Sequence, residues 1–142
     1  MAHYTQLVPD VSFLADVDLT THQYKFVTVA STVGNVKLAT GASNPAPVGI
    51  LQNSPSLGQE ARVRVFGESV VAASGNLGGC QLAYGRYGMV ASNGLFQSLS
   101  TESGCTVAGR WLDAATTGAT GSVFGRVYLY PAGFTASNAA AS

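Results

Sequence analysis

The side chains able to do acid–base, nucleophilic or metal chemistry in this sequence are few and scattered. The histidines are His3 and His22, the cysteines Cys80 and Cys105, and the carboxylates Asp10, Asp16, Asp18, Glu60, Glu68, Glu102 and Asp113. A Ser/His/Asp hydrolase needs a histidine held by a carboxylate and facing a nucleophile. His3 lies in the N-terminal segment and His22 at the edge of the first strand-like run, where it reads as a polar edge residue. A metal site needs converging His, Cys or carboxylate ligands, usually with paired spacing; neither cysteine has a CxxC partner. Asp16 and Asp18 form an Asp-x-Asp pair without the glycine and later glutamate of a calcium loop, so they read as solvated carboxylates. Glu60 and Glu68 flank Gly67, and a hairpin there would let them face each other as the paired carboxylates of glycoside hydrolysis do. Polar strand edges are ordinary, however. Gly75, Gly78 and Gly79 precede neither a helix nor a Lys-Ser/Thr pair, which a phosphate cradle requires. Gly85-Arg86-Tyr87-Gly88 has the look of an RNA-binding aromatic segment but lacks its basic context. The expectation is a protein that is not an enzyme, with no catalytic residues, no metal and no cofactor.

Composition narrows the rest. The chain has 142 residues, enough for one domain that buries roughly two-thirds of its unfolded surface. Hydrophobic residues make up 46% and charged ones 10%, against about 25% charged in an average domain. That excludes a disordered chain, and it leaves a poorly charged surface that fits one covered by partner protein. Ser, Thr, Asn and Gly are the alternative means of solvating it. Net charge is zero, and Lys25, Lys37, Arg62, Arg64, Arg86, Arg110 and Arg126 are spread along the chain. A nucleic-acid partner needs a concentrated basic face, so none is expected. No apolar run reaches the ~20 residues of a membrane-spanning helix. The first residues lack the basic start and apolar core of a signal peptide, so synthesis and retention in the cytoplasm are expected. There the two cysteines should be free, buried thiols, although a disulfide is conceivable.

The pattern along the chain is β throughout. Residues 1–22 mix isolated apolar residues with turn formers and read as an extended arm, with a short helical turn after Pro9-Asp10 as the alternative. Residues 23–131 alternate strand runs with turns. Tyr24 to Val29, Val36 to Ala39, Val48 to Leu51 and Glu60 to Phe66 carry the β-branched and aromatic residues that suit a pleated surface. Ala61, Val63 and Val65 share one face of the cleanest alternating run. Gly67 then marks either a tight hairpin to Glu68–Ala73 or a bulge in one bent strand. Asn93-Gly94 between apolar runs is a strong hairpin signal. Runs at Val107–Leu112 and Ser122–Tyr130 close the domain, and residues 132–142 form a small, polar, flexible C-terminal tail. Short strands broken by turns every ~8–12 residues predict an all-β fold. The expected form is a single compact β-barrel or sandwich of short antiparallel strands with an extended N-terminal arm.

Three segments in fixed order carry a resemblance: Pro47–Asn53, Gly58–Val71, and Ala108-Gly109-Arg110-Trp111-Leu112-Asp113-Ala114-Ala115 leading into Val127-Tyr128-Leu129. Between about Tyr24 and Tyr130 the chain resembles the capsid decoration (cement) proteins of tailed bacteriophages, the group catalogued as a domain of unknown function (DUF2190-like). That group has a glycine-and-valine strand pair followed by a G-x-A-L-x-A segment and a final strand. Arg110-Trp111 departs from it, since small or aliphatic residues are expected there. The resemblance implies a structural virion protein, made in the bacterial cytoplasm, that binds the outside of a capsid and stabilises the shell at subunit junctions. Its partners would be the major capsid protein and itself, as a homotrimer or dimer, with no nucleic acid and no membrane. Candidate interface residues are Leu7, Val8, Val11, Phe13 and Leu14 in the arm, with Tyr84, Tyr87 and Trp111, since aromatics and Arg dominate hot spots. The arm residues have a second reading as cover for the domain's own core, and Trp111 as a packed core residue. The rival functions are a head-fibre or tail component and a carbohydrate-binding β-sandwich module, which would need exposed aromatics on one face.

Overall fold

The computed structural model describes residues 10–40, 47–74, 76–77, 80–81, 87–91, 93–98, 106–113 and 122–135. Among these described residues twelve strands run in chain order: β1 (Asp10–Ala15), β2 (Phe26–Val29), β3 (Asn35–Leu38), β4 (Pro47–Leu51), β5 (Glu60–Arg64), β6 (Gly67–Ser74), β7 (Asn76–Leu77), β8 (Cys80–Gln81), β9 (Tyr87–Val90), β10 (Phe96–Ser98), β11 (Thr106–Trp111) and β12 (Ser122–Thr135). They form two small closed barrels and one two-stranded ribbon, β7-β8. The first barrel has the order β1-β3-β2-β4-β5 and closes where β5 pairs with β1; the second has the order β10-β6-β12-β11-β9 and closes where β9 pairs with β10. The all-β expectation holds, but the β region is two barrels rather than one. Most pairings are antiparallel, with two exceptions: β1 with β3, and β10 with β6.

Alternation explains why two barrels are built from one continuous β region. On β2, Phe26 joins one buried cluster and Val27 the other; on β4, Ile50 and Leu51 divide in the same way. Consecutive side chains on a strand point to opposite faces, so a strand with apolar residues at successive positions is buried on both. β2 and β4 are therefore the partition between two cores. The first barrel's own core contains Ala15, Leu19, Val27, Val36, Leu51, Ala61 and Val63. The larger core joins Phe26, Ala39 and Ile50 to Val71, Ala73, Val90, Phe96, Ala108, Trp111, Val127 and Leu129 of the second barrel. Within it Phe26, Phe96 and Trp111 form a stack, with ring centroids 6.2 and 6.1 Å apart. Trp111 is only 2% exposed; its place is this core, and it has no surface to offer a partner.

Polar bonds fasten the same seam. The Ala72 amide donates to the Tyr24 carbonyl at 2.8 Å, and the Phe26 amide to the Gly94 carbonyl at 2.8 Å. Gln52 Nε2 donates to the buried Ser69 hydroxyl at 2.9 Å. Tyr24 has φ +66°, rare for a bulky residue. Its amide is held by the Leu51 carbonyl at 2.8 Å while its own carbonyl binds Ala72, so both sides of the seam impose that conformation.

Three sequence expectations are corrected here. Gly67 makes neither a hairpin nor a bulge: β5 lies in the first barrel and β6 in the second, and Gly67 (φ +88°) turns the chain across the seam. Glu60 and Glu68 consequently do not face each other. The segment 1–22, expected as an arm, contains β1, which is paired on both sides, from Asp10↔Arg64 to Leu14↔Glu60 and at Leu14↔Asn35. A solvated arm would leave those backbone groups to water, whereas here they close a barrel. At the other end β12 continues to Thr135, into the segment expected as a tail. The Asn93-Gly94 turn does join an antiparallel pair, β9 and β10.

Room for the aromatic stack comes from missing side chains. A Cβ at Gly125 would collide with the Trp111 ring, and one at Gly88 with the Phe96 ring. Gly125→Ala should therefore destabilise the protein by about 1–3 kcal/mol through overpacking, although glycine-to-alanine changes in unstrained backbone often stabilise. A urea titration checks this; an unchanged or higher midpoint would show that the stack has slack.

Candidate functional site

β1 places the sequence-predicted residues of the N-terminal segment in different environments. Asp10, Ser12 and Leu14 alternate with Val11, Phe13 and Ala15. Ala15 is buried and Phe13 packs against the first core, while Val11 and Leu14 are exposed. Leu7, Val8 and Tyr84 lie outside the described residues.

Leu14 belongs to a larger apolar surface at one end of the first barrel. Two turns hang on the end of β1: the Leu14 amide donates to the Gly34 carbonyl at 3.0 Å, the Gly58 amide to the Ala15 carbonyl at 2.9 Å, and the Ala15 amide to the Gln59 carbonyl at 2.9 Å. Both turns follow one plan. Thr32-Val33-Gly34-Asn35 is closed by the Asn35 amide on the Thr32 carbonyl, and Ser56-Leu57-Gly58-Gln59 by the Gln59 amide on the Ser56 carbonyl. Each has glycine third, at φ +87° and +81°, a position where other residues are strained. The second position, which usually takes a polar residue or proline, holds Val33, 98% exposed, and Leu57, 68% exposed. With Leu14 and Val17, both also exposed, these tips make an apolar barrel end. The other end of β1 is polar: Asp10 holds Arg64 through both carboxylate oxygens, at 2.8 and 3.3 Å, and Arg64 Nη1 reaches the Glu68 carbonyl across the seam at 3.1 Å.

Val33 and Leu57 were missed in sequence, where both segments read only as turns. The available signal was a branched apolar residue directly before a turn glycine. Tyr87 does face outward: Arg110 lies over its ring at 4.7 Å and Arg110 Nη2 donates to its hydroxyl at 2.7 Å. It sits on the second barrel, on a different surface.

The chemistry-bearing residues that are described are dispersed by the fold. Asp16 accepts a bond from Asn35 Nδ2 at 3.0 Å, and Asp18 one from the Thr20 amide at 3.1 Å. Among the described residues no three His, Cys, Asp or Glu side chains gather as metal ligands would. The side chain of Cys80 and all of Cys105 fall outside the described residues. His22 Nδ1 lies 3.3 Å from Lys25 Nζ. Burial, and then the Lys25 charge, hold its pKa below the ordinary 6.5, with Asp18 opposing.

The described residues define an all-β protein built of two small barrels. The fold is similar to that of the N base of the head fibre protein gp8.5 of bacteriophage phi29, with a TM-score of 0.61 and 9% identity, over 88% of this chain and 96% of that one. At that identity the likeness is one of fold. No protein-family model matches the sequence, and no curated protein does.

Two outcomes are expected. Leu14→Asp should leave the melting temperature nearly unchanged, as surface substitutions usually do within about 0.5 kcal/mol, while Phe13→Asp should lower it clearly by placing a charge against the core. Equal losses would mean that Leu14 is packed. His22 binds a proton less readily folded than unfolded, so its stabilising contribution is complete above about pH 6.5 and is lost as pH falls through its depressed value. His22→Gln should flatten the stability slope just below pH 6.5 in thermal melts; an unchanged slope would assign it to other groups.

Proposed function

We propose that this chain is a structural protein of a tailed-phage virion, seated on the outside of the head through the apolar end of its first barrel. It acts without covalent chemistry. The observation that carries this reading is the shared architecture with a head-fibre base across nearly the whole of both chains. The low charge and the aliphatic turn tips support it, because isolated soluble domains rarely display such groups together. Covering Val33, Leu57, Leu14 and Val17 against a coat subunit would contribute on the order of 1–2 kcal/mol each, before the cost of association. Repeated at many junctions, that burial makes opening the shell harder.

A second reading, the base of a head fibre, is favoured by the structural neighbour, which is itself a head-fibre base. The two differ in what the head-bound chain carries: a decoration protein ends near its barrels, whereas a fibre base continues into a fibre.

Quantitative and intact-mass spectrometry of purified virions tests both. The decoration reading expects copies in a simple ratio to the coat protein and a mass matching this sequence; a much longer chain would transfer the assignment to a fibre base. A chain absent from virions would overturn both. Heads lacking the protein should bind the purified wild-type chain, and Val33→Asp/Leu57→Asp should weaken that binding at least tenfold without lowering its melting temperature.

A further inference from the structure

The outer face of the second barrel carries a different surface. Phe124, Arg126 and Tyr128 lie at alternate positions on β12, opposite Ala72, Val70 and Glu68 of β6. Arg110 of β11 pairs with Tyr128 on one side and Tyr87 of β9 on the other. Phe124 stands out from this face, 68% exposed, with an edge contact to the Tyr24 ring at 6.1 Å. Beside it is an open depression of about 320 Å³, lined by Arg64, Glu68, Ser69, Val70 and Arg126. Its walls are held in place: Arg64 is clamped by Asp10, and Arg126 bridges Glu68 and Asp113, each at 3.3 Å.

We propose that this face is a self-association surface whose occupant is a second copy of the chain, related by a two-fold axis. The face carries both a projecting ring and an open depression, and charges of both signs. A projecting phenyl ring lies one alternate position along β12 from a depression lined by Val70 and by Arg64 and Arg126, and aromatic rings pack well against guanidinium planes. A two-fold axis between them seats each Phe124 in the other copy's depression. Charge agrees, since Arg110 and Arg126 are balanced by Glu68 and Asp113. A strongly acidic or basic partner gains little from such a face, whereas a second copy offers Glu68 to Arg126 and Arg126 to Glu68. In that contact Arg126 of each copy comes against Glu68 of the other.

The proposal does not depend on head attachment, because the purified full chain can be assayed alone. In sedimentation across a concentration series, the wild type should form dimers. Phe124→Asp should weaken them roughly thirtyfold or more, as loss of a central anchor does, with its melting temperature retained. Glu68→Arg and Arg126→Glu should each be monomeric, and an equimolar mixture of the two should regain dimers, which also shows that both variants are folded. A wild type that stays monomeric overturns the proposal. So does an oligomer that Phe124→Asp leaves intact, or a mixture that stays monomeric; that last result would confine the Arg126–Glu68 pair to a role within one chain.

Discussion

Everything else in this structure rests on the aromatic stack that crosses the seam. Phe26 comes from the first barrel, and Phe96 and Trp111 from the second. Each stacked pair contributes about 0.5–1.5 kcal/mol beyond its burial. Because β2 and β4 point alternate residues into the two cores, one cannot unfold without exposing the other. The backbone bonds from Ala72 to Tyr24 and from Phe26 to Gly94 add direction to that non-directional attraction. The pair of barrels therefore behaves as one body.

A body of that kind is suited to holding surfaces rather than moving them. The turn tips with Val33 and Leu57 hang on the end of β1 by three backbone hydrogen bonds, so little ordering entropy remains to be lost when a partner covers them. Arg64 and Arg126 are likewise anchored by carboxylates before anything docks. The apolar end and the aromatic face lie on different barrels, which would let the chain hold a shell with one and its own copy with the other.

The strand runs, the Asn93-Gly94 hairpin and the inward face of β5, where Ala61 and Val63 are buried, with Val65 just beyond it packed against the same core, were legible because periodicity and turn chemistry are local. Contiguous apolar pairs such as Phe26-Val27 and Ile50-Leu51 were legible only as strands. Nothing local says that their two faces serve different cores. Gly67 shows the same limit: a positive φ reverses or redirects a chain, and where the next strand pairs depends on which barrel has a free edge. Of the interface candidates, Leu14 and Tyr87 lie at the surface and Phe13 packs inward, a difference that one-residue alternation creates but only the pairing with β5 orients.

Taken alone, the sequence determined that this is an all-β chain with few charged groups and a real apolar core, because composition, alternation and turn residues act over a few positions. The tertiary structure alone decided that there are two barrels, that Trp111 is a stacked core residue, and that the turns bearing Val33 and Leu57 are both tied to the end of β1. Those outcomes depend on which strands meet across long separations, and pairing over such distances is chosen by the joint burial of both cores rather than by any local run.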